Sequence, residues 1–171
     1  MTAGRAGSRR GAPVMDELES VLNLTLLALL AGSVFSDLTR RLIPNFVCLG
    51  VFLLGLIHGV LISSGELIYS LVGCGIVLLG GLGLHQKKVL GGGDIKLISA
   101  LSVWLLPIEL SRFVLSIMVA GGVVGACYLA VGFVRRLRDK QAPAAAGVPY
   151  ALAIVGGFLA LRPEMLTTTV W

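Results

Sequence analysis

The chain has 171 residues, of which 56% are hydrophobic and only 13% charged, with a mean hydropathy of +0.94. A soluble domain of this size needs far more charge to cover its surface, so composition excludes a water-soluble fold and makes the lipid bilayer the solvent. The net charge of +5 would suit nucleic-acid binding, but the basic residues sit in short loops between apolar runs, where membrane topology puts them, and no nucleic-acid partner is expected.

Residues 1–20 are polar, with Arg5, Arg9 and Arg10 ahead of Asp16, Glu17 and Glu19, and read as a disordered tail in which Met15 offers an alternative start. The first apolar run covers residues 22–35. No A-x-A cleavage site follows it and further runs do, so it reads as a retained helix rather than a signal peptide. The second run, 46–62, starts just after Pro44, where a missing N–H costs a beginning helix nothing. A third covers 67–84. A shorter fourth covers 95–106 and is extendable toward Leu110. The fifth, 113–134, is the clearest, and a short sixth covers 148–161. Spanning needs about 20 residues, so the pattern predicts an all-α, polytopic membrane protein with about six transmembrane helices. The boundaries are a tail at 1–20, one transmembrane domain at 21–162 and a short C-terminal tail at 163–171. Cys48, Cys74 and Cys127 each lie inside an apolar run without metal-ligand spacing and read as buried free thiols. Neither a metal nor a cofactor is expected.

Six spans put the loops at 36–45, 85–94 and 135–147 on one side. That side holds Arg40, Arg41, Lys87, Lys88, Lys96, Arg135, Arg136, Arg138 and Lys140; the other holds Arg5, Arg9, Arg10, Arg112 and Arg162. The imbalance makes the first side cytoplasmic, with both termini outside.

Acidic residues are scarce. Asp16, Glu17 and Glu19 belong to the tail, Glu164 to the C-terminal end, Glu66 and Glu109 to the outer face, and Asp139 lies among arginines. Asp37 and Asp94 remain, one at the end of the first helix and one at the start of the fourth. Two full crossings separate them and return the chain to the side it left, so both face the cytoplasm. Two carboxyls close together at a partly dry site do not both ionise easily. One holds a proton to hydrogen-bond a scissile carbonyl while the other takes a proton from water, which is sufficient for peptide hydrolysis. The competing reading of each residue alone is structural: Asp37 pairing with Arg40 or Arg41, Asp94 capping the fourth helix. The three glycines before Asp94, Gly91 to Gly93, serve either as a hinge or as bared backbone against which an extended substrate lies. Lys96 either snorkels to lipid phosphate or contacts substrate.

These residues fall into a family pattern. Gly91-x-Gly93-Asp94-x-Lys96 resembles the G-x-G-D-x-K signature of bacterial prepilin peptidases. The stretch from Ser36-Asp37 to Ile43-Pro44-Asn45 is similar to the family's other block, an Asp followed by a basic turn and I-P-N. Val148-Pro149-Tyr150-Ala151 resembles its Pro-Tyr-Gly-like third block, with Ala151 where Gly is common. The blocks occur in the family's order across residues 36–153. The resemblance implies an aspartic endopeptidase of the bacterial inner membrane, with Asp37 and Asp94 as its catalytic pair facing the cytoplasm and Gly91, Gly93 and Lys96 as substrate contacts. Its partner would be a prepilin or pseudopilin precursor, cut at its basic leader. Larger relatives carry an N-terminal cytoplasmic region with two C-x-x-C pairs and methylate the new N-terminus. This chain resembles the short form of Flp or tight-adherence pilus systems, and the likeness does not extend to methyltransferase activity.

Three other readings compete. A presenilin-like intramembrane protease would place its aspartates deeper in apolar segments and carry a P-A-L block. A proton-relay transporter would need further buried polar residues on the fifth and sixth helices. A non-catalytic assembly scaffold would use neither carboxyl.

Overall fold

Apolar runs broken by Pro, Gly or charged turns become six helices in the computed structural model, which describes residues 12–61, 65–87, 90–138, 150–163 and 165. They are α1 (Ala12–Arg40), α2 (Asn45–Leu61), α3 (Leu67–Gln86), α4 (Gly92–Ser102), α5 (Pro107–Arg138) and α6 (Tyr150–Leu161). Among the described residues no strand occurs, and the chain is an all-α membrane protein. Among the described residues three stretches are long and apolar enough to cross a membrane: Glu17–Arg40, Leu67–Gln86 and Pro107–Gly132. Helices α2 and α6 are shorter and equally apolar. Arg135, Arg136 and Arg138, read as part of a polar loop, form the end of α5, whereas the rest of that loop, residues 139–149, and most of the C-terminal tail lie outside the described residues, as do residues 1–11 of the predicted tail.

Several boundaries differ from expectation. Helix α1 starts at Ala12, so much of the charged segment read as a disordered tail is its first turns. The fourth helix neither starts at residue 95 nor extends toward Leu110. It begins at Gly92 and stops at Ser102, followed by a turn. Pro107 then opens α5 at a first-turn position that needs no N–H donor. The Leu106 N–H donates to Glu109 Oε2 at 3.0 Å, the returning arm of a capping box, which fixes the start of α5 well before residue 113.

At 1.5 Å per residue, 11-residue α4 is about 16 Å long, roughly half the hydrocarbon thickness. It is nevertheless the centre of the bundle, packed on α2, α3 and α6. Ile95, Leu97, Ser99, Ala100, Leu101 and Ser102 are all buried, and a helix with that much of its surface enclosed belongs to the interior. Two of the three long spans, α3 and α5, are peripheral, and no residue in the apolar window of α5 is buried. Lipid is as apolar as leucine, so the helices gain by close packing and polar contacts instead, at about 0.6 kcal/mol for an average interhelical hydrogen bond. Trp104 Nε1 donates to the Val51 carbonyl at 3.0 Å, Ser70 Oγ to that of Leu105 at 2.9 Å and Ser116 Oγ to that of Gly157 at 3.2 Å. Arg162 bonds both the Trp104 carbonyl and Glu109, tying the end of α6 to the α4–α5 turn. Intramembrane His58 is a packing residue: it is buried, with its ring 4.9 Å from that of Trp104. Cys48 and Cys74 are buried as expected, whereas Cys127 on α5 is exposed.

Candidate active site

The N-terminal end of α4 opens into a cavity of about 700 Å³. Its walls come from all three sequence blocks: Asp37 and the α1–α2 loop from Arg41 to Asn45, the Gly91–Gly93 turn with Asp94 and Lys96, and Tyr150 at the start of α6. Asp37 and Asp94 are thus brought to one space at one end of the bundle, as the crossing count required.

Local rules put Asp37 there. It stands in the last turn of α1, and its carbonyl accepts the Arg41 N–H at 3.0 Å. Arg41 has a φ of 54°, the left-handed position after a helix that glycine usually takes. Ser36 Oγ donates to the Leu42 carbonyl at 2.8 Å, and Pro44 ends the reversal before α2. The Asp37 side chain points inward, only 7% exposed, and its Oδ2 accepts the Ala151 N–H at 2.9 Å. The first N–H groups of a helix have no partner within it. Asp37 therefore caps α6 from another helix, with its negative charge at the positive end of the α6 dipole.

Asp94 sits in the first turn of α4, outside the three long spans. Burial pushes its carboxyl up to about 6, the nearby charge of Asp37 pushes the same way, and a hydrogen bond from the Gly91 N–H opposes both. The two acids are therefore unequal. One is tied down by a helix N-terminus; the other keeps its proton up to about pH 6.

The glycines have a specific use. A Cβ on Gly91 would lie 2.6 Å from Asp94 Oδ2, and one on Gly93 would lie 3.2 Å from the Ile43 Cβ. Gly91 leaves room for the carboxylate, and Gly93 lets the α1–α2 loop close on α4. Both also line the cavity. Lys96 lines it too, but its Nζ is engaged by Asn45 Oδ1 at 2.9 Å, which latches the start of α2 to α4. Sequence reasoning treated these two residues separately and missed their pairing, because they are 51 positions apart. It also missed the tie from Ala151 to Asp37: a backbone donor leaves no mark on residue type. Val148 and Pro149 of the third block lie outside the described residues. Among the described residues no three His, Cys, Asp or Glu side chains gather as a metal would require.

The type IV leader peptidase family matches residues 24–130, well over half of the chain. The chain belongs to that family. It is also similar to the prepilin leader peptidase/N-methyltransferase of Legionella pneumophila, at 29% identity over 154 residues. That match covers 77% of this chain and 53% of the relative, so the chain spans about half the relative's length. No solved structure gives a significant match.

The family match includes both aspartates and the glycine turn, but ends before α6. The helix whose Ala151 N–H holds Asp37 therefore lies beyond the matched segment.

Proposed function

We propose that the chain is a membrane-embedded aspartic endopeptidase, with Asp37 and Asp94 as its catalytic pair, that removes the basic leader from type IV prepilin or pseudopilin precursors of the Flp kind at the cytoplasmic face of the inner membrane. The observation that carries the reading is the unequal pair: two carboxyls from distant helices lining one cavity of about 700 Å³, with Asp94 raised partly by the charge of Asp37. A carboxylate and a carboxylic acid side by side are what peptide hydrolysis by water requires.

In the proposed reaction the Asp37 carboxylate takes a proton from a water molecule as its oxygen attacks the scissile carbonyl carbon. Asp94 donates its proton to the carbonyl oxygen. In the resulting tetrahedral diol Asp37 passes its proton to the amide nitrogen, the C–N bond breaks, and Asp94 recovers a proton from the hydroxyl that becomes the new carbonyl. Atoms and protons balance, and no covalent enzyme intermediate forms. Gly91, Gly93 and Lys96 border the place where an extended leader would lie.

Co-expression with a prepilin tests the reading. Asp37→Asn and Asp94→Asn are each expected to abolish leader cleavage while inserting normally, and the double variant to be no worse, because the two carboxyls act as one device. Cleavage at the wild-type rate by either single variant refutes it. Cysteines placed at Thr39 and Lys87, in a background lacking native cysteines, are both expected to be labelled from the cytoplasm; opposite accessibility removes the shared face. Mass spectrometry of the processed pilin separates this activity from the methyltransferase named in the relative, and an unmethylated N-terminus is expected.

A further inference from the structure

We propose that the groove between α2 and α3 on the outside of the bundle docks the apolar helix of the membrane-anchored precursor, whose polar segment then crosses the Lys96–Asn45 latch into the catalytic cavity. The inference rests on the peptidase reading and adds the route by which substrate arrives. The groove, about 280 Å³, is walled by residues of α2 and α3, among them Leu49, Phe52 and Leu78, and floored by Ser99 of α4. A space of that size takes a ridge of side chains from a helix packed against it, rather than a whole helix. Lys96 and Asn45 line both this groove and the catalytic cavity, so the two spaces adjoin at the latch. One opens among apolar side chains and the other holds the carboxyls. A precursor cut where a polar leader meets an apolar helix must occupy two such environments at once.

The occupant is identified by the floor. Ser99 is 4% exposed, and its hydroxyl has no hydrogen-bond partner among the described residues. A buried hydroxyl left unpaired is costly. The first turn of a helix carries N–H groups with no partner of their own. In the proposed complex that turn lies just past the scissile bond, and Ser99 accepts one of its N–H groups. An acyl chain would satisfy the apolar walls equally well but has no donor for Ser99. The other apolar cavity, about 470 Å³ between α3, α4 and α5, shares no lining residue with the catalytic cavity. Acyl chains suffice to fill it.

Kinetics with two substrates test the route: the anchored precursor in proteoliposomes, and a soluble peptide spanning the leader and cleavage site without the apolar helix. Leu78→Trp fills the groove and is expected to raise KM for the precursor about tenfold over its effect on the peptide, with kcat within about twofold. Ser99→Ala is expected to raise the same KM less, and Leu79→Trp, at a neighbouring exposed position outside both cavities, to leave both substrates unaffected. Equal effects of Leu78→Trp on both substrates, or a raised precursor KM from Met118→Trp in the other cavity and not from Leu78→Trp, overturn the proposal. A second readout does not need catalysis. A benzophenone side chain at position 78 of the Asp94→Asn protein is expected to cross-link the precursor, and one at position 118 is not. Cross-linking at 78 with no cleavage by the wild-type protein would keep the groove and sink the peptidase reading. Cleavage with cross-linking at 118 alone would do the reverse.

Discussion

Replacing Asp94 by Asn should make the protein more stable at neutral pH and leave its stability at pH 4 unchanged. The folded chain holds the Asp94 carboxyl at about 6 against an ordinary 3.8. The folded state therefore binds this proton more tightly than the unfolded state. The stability that goes with it is fully present below 3.8, is lost as pH rises toward 6, and stays lost above. At pH 7.5 the wild-type protein carries a partly desolvated charge beside a second one; the Asn variant does not. The gap corresponds to at most about 3 kcal/mol, and partial exposure to the cavity reduces it to about 1–2 kcal/mol. For a chain of this size that is a rise in Tm of about 2–8 °C, read by thermal unfolding of the detergent-solubilised protein across pH 4–8. The burial cause acts with or without Asp37; the charge cause does not. Asp94→Asn should accordingly stabilise an Asp37→Asn background less than it stabilises the wild type. An Asp94→Asn protein no more stable than wild type at pH 7.5 would refute the reasoning, since neither burial nor the charge of Asp37 would then be acting on Asp94.

Other consequences are open to assay. With Asp94 as the proton donor, kcat/KM for leader cleavage should fall as pH rises through about 6, approaching tenfold per pH unit; a profile flat from pH 5 to 8 removes that role. Gly93→Val should cut cleavage by at least about tenfold in protein that still inserts, because branched atoms would meet Ile43, already 3.2 Å from an added Cβ. Ile43→Ala should restore part of that loss if the clash is the cause, and none if the glycine serves only to bare backbone for substrate. Lys96→Met and Asn45→Ala should give losses that do not add, as expected of two halves of one 2.9 Å bond; additive losses would show that each acts separately.

The topology of the site was legible because it depends on counting. Two apolar helices, α2 and α3, lie between Asp37 and Asp94 and return the chain to the end of the bundle it left. The scarcity of acidic residues then singled the pair out. Legibility failed where residue type carries no information about the partner. The Ala151 N–H that holds Asp37 is a backbone group, and its importance comes from its place in the first turn of α6. Half-length α4 misled the span count for a related reason: its residues are as apolar as those of a true span, and only Pro107 and the Glu109 cap reveal that the chain turns at 103–106. Lys96 looked like a lipid-facing cation because its partner is distant in sequence.

The capping of α6 by Asp37 joins assembly to chemistry. A carboxylate that closes a helix N-terminus is held in place by that helix, and α6 is the last of the described helices. Without α6 the Asp37 side chain would lack the hydrogen bond it makes to the Ala151 N–H. Once α6 is in place, the bond that satisfies the Ala151 N–H engages one oxygen of Asp37, and among the described residues no hydrogen bond engages the other. The buried face of α6, with Ala151, Ile154 and Phe158 fully enclosed, contributes the packing that holds the bond in register. On this account the cleft acquires its unequal pair of acids only in the completed bundle, and a partly inserted chain, with α6 undocked, has two aspartates but no acid–base pair.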